Sequence, residues 1–201
     1  MGTRMDAFIE VDHSDKLSPF SDPVQIWSLT KGSFVFGKDY KVYDALAWGR
    51  ESQMSPDGRD PATLPLFAPR GMPSPQSLDV AWNYFFLVAE PSDPPDKYFW
   101  QAHRCISPTE ADYWVKNRGA GESKVLQWFN CGPAERTWRV VADPVLHNAS
   151  WLLLPEFDAS LAHHGLRLEE LPVEYSIVRN ALSMLGRQRG TERVRLVFWF
   201  C

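Results

Sequence analysis

The fold class is decided by residues 172–201, PVEYSIVRNALSMLGRQRGTERVRLVFWFC. In the first part of this stretch, apolar residues recur at the spacing of an α-helix, which predicts an amphipathic helix with one buried face. The side chains expected on that face are Ile177, Val178, Ala181, Leu182 and Leu185. Pro172 suits the first helical turn, and Gly190 suits the residue that follows the last turn. We therefore expect a helix between these two residues.

A second apolar run, at the end of the same stretch, predicts a strand. Its β-prone side chains are Val194, Leu196, Val197, Phe198, Trp199 and Phe200. A nearly continuous apolar run is typical of a strand that is buried on both faces, whereas a half-exposed strand alternates. We therefore expect the C-terminal strand to lie inside a sheet, beside the amphipathic helix.

The preceding residues show short strand and helix patterns. Residues 5–11 alternate apolar and polar side chains as a strand does, and Ser107 followed by Pro108 predicts the start of a helix. Prolines and glycines cluster at about residues 50–76, which predicts a long proline-rich loop. Residues 144–154 are expected to form a further loop that leads into a helix.

These patterns contain no internal repeat and no regular alternation of strands and helices. The sequence therefore predicts a single α+β domain over residues 1–201. Its mixed sheet should include the C-terminal strand, which follows the amphipathic helix and is buried.

Composition and charge limit the function classes. The formal net charge of −4 argues against a nucleic-acid surface, which needs clustered basic residues. No stretch reaches the ~20 apolar residues of a membrane span, and the first residues lack the apolar core of a signal peptide. Cys105, Cys131 and Cys201 lack the spacing of a disulfide framework or a metal site. We therefore expect a cytoplasmic protein with reduced thiols and with no nucleic-acid or membrane partner.

Five stretches of the chain carry a resemblance. They are MGTRMDAFIE at residues 1–10, DYKVYDALAWGR at 39–50, PRGMP at 69–73, HNASWLL at 147–153 and VRLVFWF at 194–200. In the same order, they are similar to M-G-C-D-I-H before a strand, N-Y-D-L-F-x-x-L-A-x-V-R, P-R-G-L-P, H-S-x-S-W-L-T and V-R-I-V-F-W-F-D-N. These patterns are typical of a family of uncharacterised proteins carried by phages and prophages. The resemblance implies a phage or mobile-element context and no particular activity.

The chain departs from the family pattern at both ends. Residues 3–6, Thr-Arg-Met-Asp, stand where the family has C-D-I-H, whose side chains could bind a metal or transfer protons. Cys201 stands where the family continues with Asp and Asn. If those family positions form a polar site, this chain has lost or rebuilt part of it. The polar and aromatic residues that remain at matching positions are Asp6, Arg50, Arg70, His147, Ser150 and Trp151.

The candidate catalytic residues are Asp6, His147 and Ser150. The last two are three positions apart before the predicted helix, and histidine is the side chain that titrates near neutral pH, as a general base should. The alternative is that Ser150 caps a turn while His147 packs in a loop. No G-x-S-x-G motif positions the serine, so the spacing does not indicate a Ser-His-Asp triad.

The candidate ligand-binding residues are Arg50, Arg70 and Trp151. Arg70 lies in the proline-rich loop, where its planar guanidinium group could bind a carboxylate or a phosphate with two parallel hydrogen bonds. Equally, it could tie the loop to the body of the protein through backbone carbonyls. Neither a metal nor a cofactor is predicted, because the sequence has no H-E-x-x-H, P-loop or G-x-G-x-x-G motif.

Two functions remain open. The first is a non-catalytic binding protein that uses the proline-rich loop and exposed aromatic residues to bind a host protein or a small molecule. The second is a small hydrolase-like enzyme with a polar site around His147 and Arg70. The missing C-D-I-H groups favour the binding protein. The sequence does not indicate an oligomeric state.

Overall fold

The computed structural model describes residues 4–22, 25–37, 39–47, 64–89, 104–126 and 137–201. Within these ranges the strands are β1 (Met5–Asp12), β2 (Ile26–Ser28), β3 (Phe34–Phe36), β4 (Phe85–Val88), β5 (Cys105–Ile106), β6 (Glu122–Leu126), β7 (Thr137–Ala142), β8 (His147–Leu153) and β9 (Val194–Phe200). The α-helices are α1 (Tyr40–Leu46), α2 (Leu78–Tyr84), α3 (Pro108–Arg118), α4 (Leu154–His163) and α5 (Val173–Arg189). Contacts divide the chain into a first unit, Met1–Asp79 with His147–Cys201, and a second unit, Val80–Leu146.

The first unit contains an antiparallel sheet in which β9 lies between β1 and β8. β2 and β3 both pair with β1, one near each end of that strand. Every residue of β9 is buried. The predicted buried C-terminal strand is therefore confirmed, and its two neighbours bond the backbone groups that burial removes from water.

Helices α1, α4 and α5 pack on one face of this sheet and form the main hydrophobic core with it. Aromatic contacts connect the layers, because Tyr43 of α1 lies 4.9 Å from Phe200 and Tyr175 of α5 lies 4.6 Å from Phe36, measured between ring centroids. Fully burying a large apolar side chain contributes about 1.5–3 kcal/mol. The core on this face is therefore the main source of stability of the first unit.

Helix α5 confirms the predicted amphipathic helix and corrects its buried face. The buried residues are Tyr175, Val178, Leu182 and Gly186. The apolar spacing predicted Ile177 on this face, and that prediction is wrong, because Ile177 is 53% exposed. Neighbouring residues of a helix point about 100° apart, so burying Val178 turns Ile177 outward.

Residues His147–Leu153 form strand β8, so the prediction of a loop over these residues is wrong. β8 pairs with β9 at the edge of the sheet, with a register shift between His147 and Ser150. Asn148, inside this irregularity, has a φ of 50°, which asparagine tolerates better than most residues. The irregular register interrupts the simple alternation that identifies a strand in a sequence.

The second unit contains a second sheet, with strand order β5-β4-β7-β6. β4 and β5 are parallel and the other pairs are antiparallel, so this sheet is mixed. Helix α3 begins as predicted, because the Oγ atom of Ser107 accepts a hydrogen bond from the backbone N–H of Glu110 at 3.2 Å. It ends before Gly119, whose φ of 63° suits glycine.

The α+β prediction is confirmed, with its mixed sheet and its C-terminal helix followed by a C-terminal strand. The sequence did not indicate that the strands form two sheets, one in each unit. The extent of one domain over residues 1–201 stays a prediction. Part of the predicted proline-rich loop lies outside the described residues, and residues 64–76 contain no helix or strand.

Candidate functional site

Arg70 joins the proline-rich segment to β8 and α4. Its backbone N–H donates a hydrogen bond to the Oγ atom of Ser150 at 3.1 Å. Its guanidinium group donates to both carboxylate oxygens of Glu156, in the first turn of α4, at 2.9 and 2.5 Å. Arg70 therefore ties the loop to the body of the first unit through a hydroxyl and a carboxylate, where the sequence suggested backbone carbonyls.

Two aromatic rings flank the same guanidinium group. The Cζ atom of Arg70 lies 4.5 Å from the centroid of the Trp151 ring and 5.6 Å from that of Phe67, both within cation–π range. The side chains of Arg70 and Glu156 are 29% and 20% exposed, so this group lies at the surface. We call Phe67, Arg70, Trp151 and Glu156 the Arg70 surface.

Glu156 is kept charged by its partners. It accepts the backbone N–H of Leu153 at 2.9 Å, which satisfies one of the free N–H groups at the start of α4. Burial alone would raise the pKa of Glu156, but the hydrogen bonds from Arg70 and Leu153 outweigh it and hold the pKa below its usual value. The carboxylate is therefore ionised at neutral pH and fixes the orientation of Arg70.

Asp6 lies in a different group, where the start of β1 meets the end of β9. Arg4 and Cys201 exchange backbone hydrogen bonds of 3.0 and 3.1 Å. The carboxylate of Asp6 accepts hydrogen bonds from Arg4 at 3.2 Å, from the hydroxyl of Ser33 at 3.1 Å and from the thiol of Cys201 at 3.5 Å. Burial and the nearby Asp6 raise the pKa of the Cys201 thiol, so it stays protonated at neutral pH. Arg4, Asp6, Ser33 and Cys201 therefore form one polar group.

His147 and Asp6 lie on opposite faces of the first sheet. Asp6 pairs with Trp199 and His147 with Phe200, and consecutive residues of a strand point to opposite faces. The ring centroid of His147 lies 6.2 Å from that of Phe200. The structure thus brings Arg70, Ser150 and Trp151 together, and it leaves Asp6 apart from His147.

Arg50, the remaining ligand-binding candidate, lies outside the described residues. In the part of the chain that the structure describes, no group of three or more His, Cys, Asp or Glu side chains could hold a metal ion. Burial raises the pKa of Cys105 to about 11, so this thiol is protonated and a poor nucleophile at neutral pH.

A buried ion pair, which was not predicted from the sequence, lies on the face of the first sheet opposite the helices. The Nε atom of Arg195 donates to a carboxylate oxygen of Glu10 at 2.8 Å, and these side chains are 4% and 0% exposed. The other oxygen of Glu10 accepts the N–H of Ser77 at 2.5 Å, while Arg195 donates to the carbonyl of Pro75 at 2.6 Å. The Arg195 guanidinium group also lies 3.9 Å from the centroid of the Phe20 ring.

Asp12 and Arg193 form a second ion pair beside it, at 2.8 Å. Asp12 also accepts hydrogen bonds from the N–H and hydroxyl of Ser14 and from the N–H of Phe20, at 2.8, 2.9 and 2.9 Å. Burial would raise the pKa of Asp12, but these hydrogen bonds and the charge of Arg193 lower it overall. Glu10, Asp12, Arg193 and Arg195 are called the buried ionic group below.

The sequence does contain a signal for this group. Arg195 lies in an otherwise apolar stretch that is predicted to be a strand buried on both faces, whereas Glu10 lies in the alternating stretch at residues 5–11. A charge inside a strand that is buried on both faces must have a buried partner, because an unpaired charge costs several kcal/mol in a protein interior. The acidic partner of Arg195 is therefore expected in a neighbouring strand, and β1 supplies Glu10 in register with it.

The described residues define an α+β protein whose first unit has an antiparallel sheet, helices on one face and buried ion pairs on the other. Comparisons with protein-family models, with curated proteins and with solved structures find no match to this chain. Among the described helices, none has both the length and the apolar character needed to cross a membrane. The function is therefore inferred from the chemistry of the site.

Proposed function

We propose that this chain is a non-catalytic binding protein that uses the Arg70 surface to bind a host protein or a small ligand. The observation that carries the proposal is the arginine itself, fixed by the Glu156 carboxylate and stacked on Trp151. Arginine and tryptophan side chains contribute much of the binding free energy at protein–protein interfaces. An arginine already held in one conformation loses less entropy on binding than a free one.

The geometry around Ser150 supports binding over hydrolysis. A serine nucleophile needs a base and a group that orients the base. Asp6 lies on the face of the sheet opposite His147, and its carboxylate is occupied by Arg4, Ser33 and Cys201. The Ser150 hydroxyl accepts the N–H of Arg70, which gives it a structural role in holding the loop.

The resemblance to proteins of phages and prophages supports a host protein as the partner. A small ligand that carries a carboxylate or phosphate would use the same chemistry of the guanidinium group. The experiment below distinguishes these two sources.

A photo-crosslinking residue placed at Leu66 tests the proposal in host-cell extract. Leu66 is 44% exposed and lies beside Phe67, and Val35, which is 53% exposed, provides a control position in β3, on the other side of the first sheet from β8. We expect a protein adduct from position 66, none from position 35, and loss of the adduct in Trp151→Ala. For a small ligand, we expect isothermal titration against phosphate and carboxylate compounds to give binding that Arg70→Ala removes.

Catalytic activity of the purified protein would overturn the proposal. If purified protein hydrolyses p-nitrophenyl esters, and both His147→Ala and Ser150→Ala remove that activity while leaving the melting temperature unchanged, the protein is a hydrolase. Equal adducts from positions 66 and 35, with no ligand binding, would also contradict the Arg70 surface.

A further inference from the structure

Helix α5 carries an apolar stripe on its solvent face. Val173, Ile177 and Met184 are 67%, 53% and 49% exposed. At about 100° per residue, these three side chains fall within about 40° of one another around the helix. The buried Leu182 lies about 180° from Val173, so the stripe faces directly away from the core. Scattered apolar residues are ordinary on a surface, but an aligned stripe is a feature of contact surfaces.

The spacing of the stripe matches that of paired helices. Val173, Ile177, Asn180 and Met184 are separated by four, three and four residues, which is the heptad spacing of a helix–helix seam. Asn180 is exposed and provides the polar position that often fixes the register of such a seam. The partner that this stripe fits is therefore another helix.

Ile177 and Met184, two of the three apolar residues of the stripe, are complementary to each other when the helix is reversed. Ile177 and Met184 lie at equal distances on either side of the midpoint between Asn180 and Ala181. A two-fold axis at that midpoint would place Ile177 against Met184 of the partner subunit, and Met184 against Ile177 of the partner subunit. Such an interface, in which one patch meets its own copy, is the commonest kind in homodimers.

The charges along α5 favour the same antiparallel arrangement. Glu169, Glu170 and Glu174 lie before or within its first turn, whereas Arg187 and Arg189 lie in its last turn. Two parallel copies would bring ends of the same charge together, whereas antiparallel copies bring each acidic end beside a basic end. The helix dipoles also attract each other when antiparallel.

We infer that α5 is a homodimer interface, in which two copies of the chain pair their α5 helices antiparallel around a two-fold axis near Asn180. A helix of 17 residues is about 25 Å long, which is short for a protein–protein interface. The dimer is therefore weak, with a dissociation constant in roughly the micromolar to millimolar range. This surface is separate from the Arg70 surface, so either proposal can fail without the other.

Sedimentation velocity of the full chain over a concentration series up to about 1 mM tests the dimer at the affinity stated above. We expect the wild-type protein to show reversible dimers. Ile177→Glu and Met184→Glu should each raise the dissociation constant by at least about tenfold, because a charge would enter the apolar seam. Asn180→Leu should tighten the dimer, because it removes the polar residue from the seam. Leu17→Glu, at a fully exposed apolar residue elsewhere, should change nothing.

Cysteine crosslinking tests the orientation. Facing Cα atoms of two packed helices lie within disulfide range, so oxidised Asn180→Cys protein should form a covalent dimer. Val173→Cys should not crosslink to itself, but should crosslink to Gln188→Cys when the two variants are mixed. Oxidised wild-type protein controls for the native cysteines. The inference is overturned if the wild-type protein stays monomeric throughout the series, or if Val173→Cys crosslinks to itself as well as Asn180→Cys does.

Discussion

Two groups of arginine and carboxylate side chains lie on the first sheet, and their surroundings differ. In the buried ionic group, the side chains of Arg195 and Glu10 are 4% and 0% exposed. In the Arg70 surface, the side chains of Arg70 and Glu156 are 29% and 20% exposed. Trp151 is shared, because its ring centroid lies 4.5 Å from the Cζ atom of Arg70 and 5.6 Å from that of Arg195.

The difference in burial separates a pair that stabilises the fold from a pair that can bind a partner. Taking two charges out of water is costly, and the cost is offset only when hydrogen bonds satisfy both groups, as backbone partners do for Glu10 and Arg195. Such a pair holds the strands in register and presents no charge to a ligand. The Arg70–Glu156 pair keeps solvent access, so breaking it costs less free energy of unfolding. The Arg70 guanidinium group also retains an edge that a partner can contact.

The largest effect is expected from Arg195→Ala. It would leave the Glu10 carboxylate buried and unpaired, which costs about 3–5 kcal/mol of unfolding free energy. Urea denaturation at pH 7 measures this loss. A loss smaller than that of Arg70→Ala would contradict the contrast between the two groups.

A double variant provides the matched control. Replacing both partners with apolar residues, as Glu10→Leu with Arg195→Met, removes the charges together and should recover much of the lost stability. If the double variant is as unstable as Arg195→Ala, then packing and not the unpaired charge causes the loss.

The sequence predicted the parts of the fold that rest on local pattern. The C-terminal helix and strand followed from apolar spacing, and the start of α3 followed from Ser107. The exposure of Ile177 could not be predicted, because two adjacent apolar residues fit either of two neighbouring helix faces and only tertiary packing selects one. Strand β8 was missed because its register is irregular at Asn148.

The candidate site was predicted only in part, because its contacts join residues that are distant in the sequence. Arg70, Ser150 and Trp151 were identified as candidates, but their common partner Glu156 was not, since its contact with Arg70 spans 86 positions along the chain. Asp6 was grouped with His147 because a sequence does not show which face of a sheet a side chain occupies. The register of strand pairing decides the face of each side chain, and it places Asp6 and His147 on opposite faces.

Asp12→Asn should have the second largest effect. The amide keeps the shape of the side chain, but it has one acceptor oxygen in place of two, and its NH₂ group would face donors from Ser14, Phe20 and Arg193. We expect a loss of about 2–3 kcal/mol by urea denaturation at pH 7. Ser21→Ala, which removes an exposed hydrogen bond in the same loop, is the control and should cost little.

Glu156→Gln should cost less, about 1–2 kcal/mol at pH 7, because this pair is partly exposed. The pKa of Glu156 is lower in the folded protein than its usual value. The contribution of this carboxylate to the free energy of unfolding is therefore complete above the usual pKa, and it is lost as the pH falls through the folded pKa. The stability difference between wild type and Glu156→Gln should therefore shrink as the solution is acidified. A difference that stays constant on acidification would mean that the carboxylate is not the source of the stability.

Arg70→Lys should have the smallest effect on stability and a large effect on binding. Lysine keeps the positive charge, but it cannot form the bidentate contact with Glu156 and stacks less well on Trp151. We expect an unfolding free energy within about 1 kcal/mol of wild type, as for partly exposed pairs. The crosslink from position 66, or the ligand binding measured by calorimetry, should nevertheless be lost. The opposite outcome is that Arg70→Lys destabilises the protein as much as Arg195→Ala while partner binding persists. Arg70 would then be a structural residue like Arg195, and the distinction between a stabilising group and a binding group would be wrong.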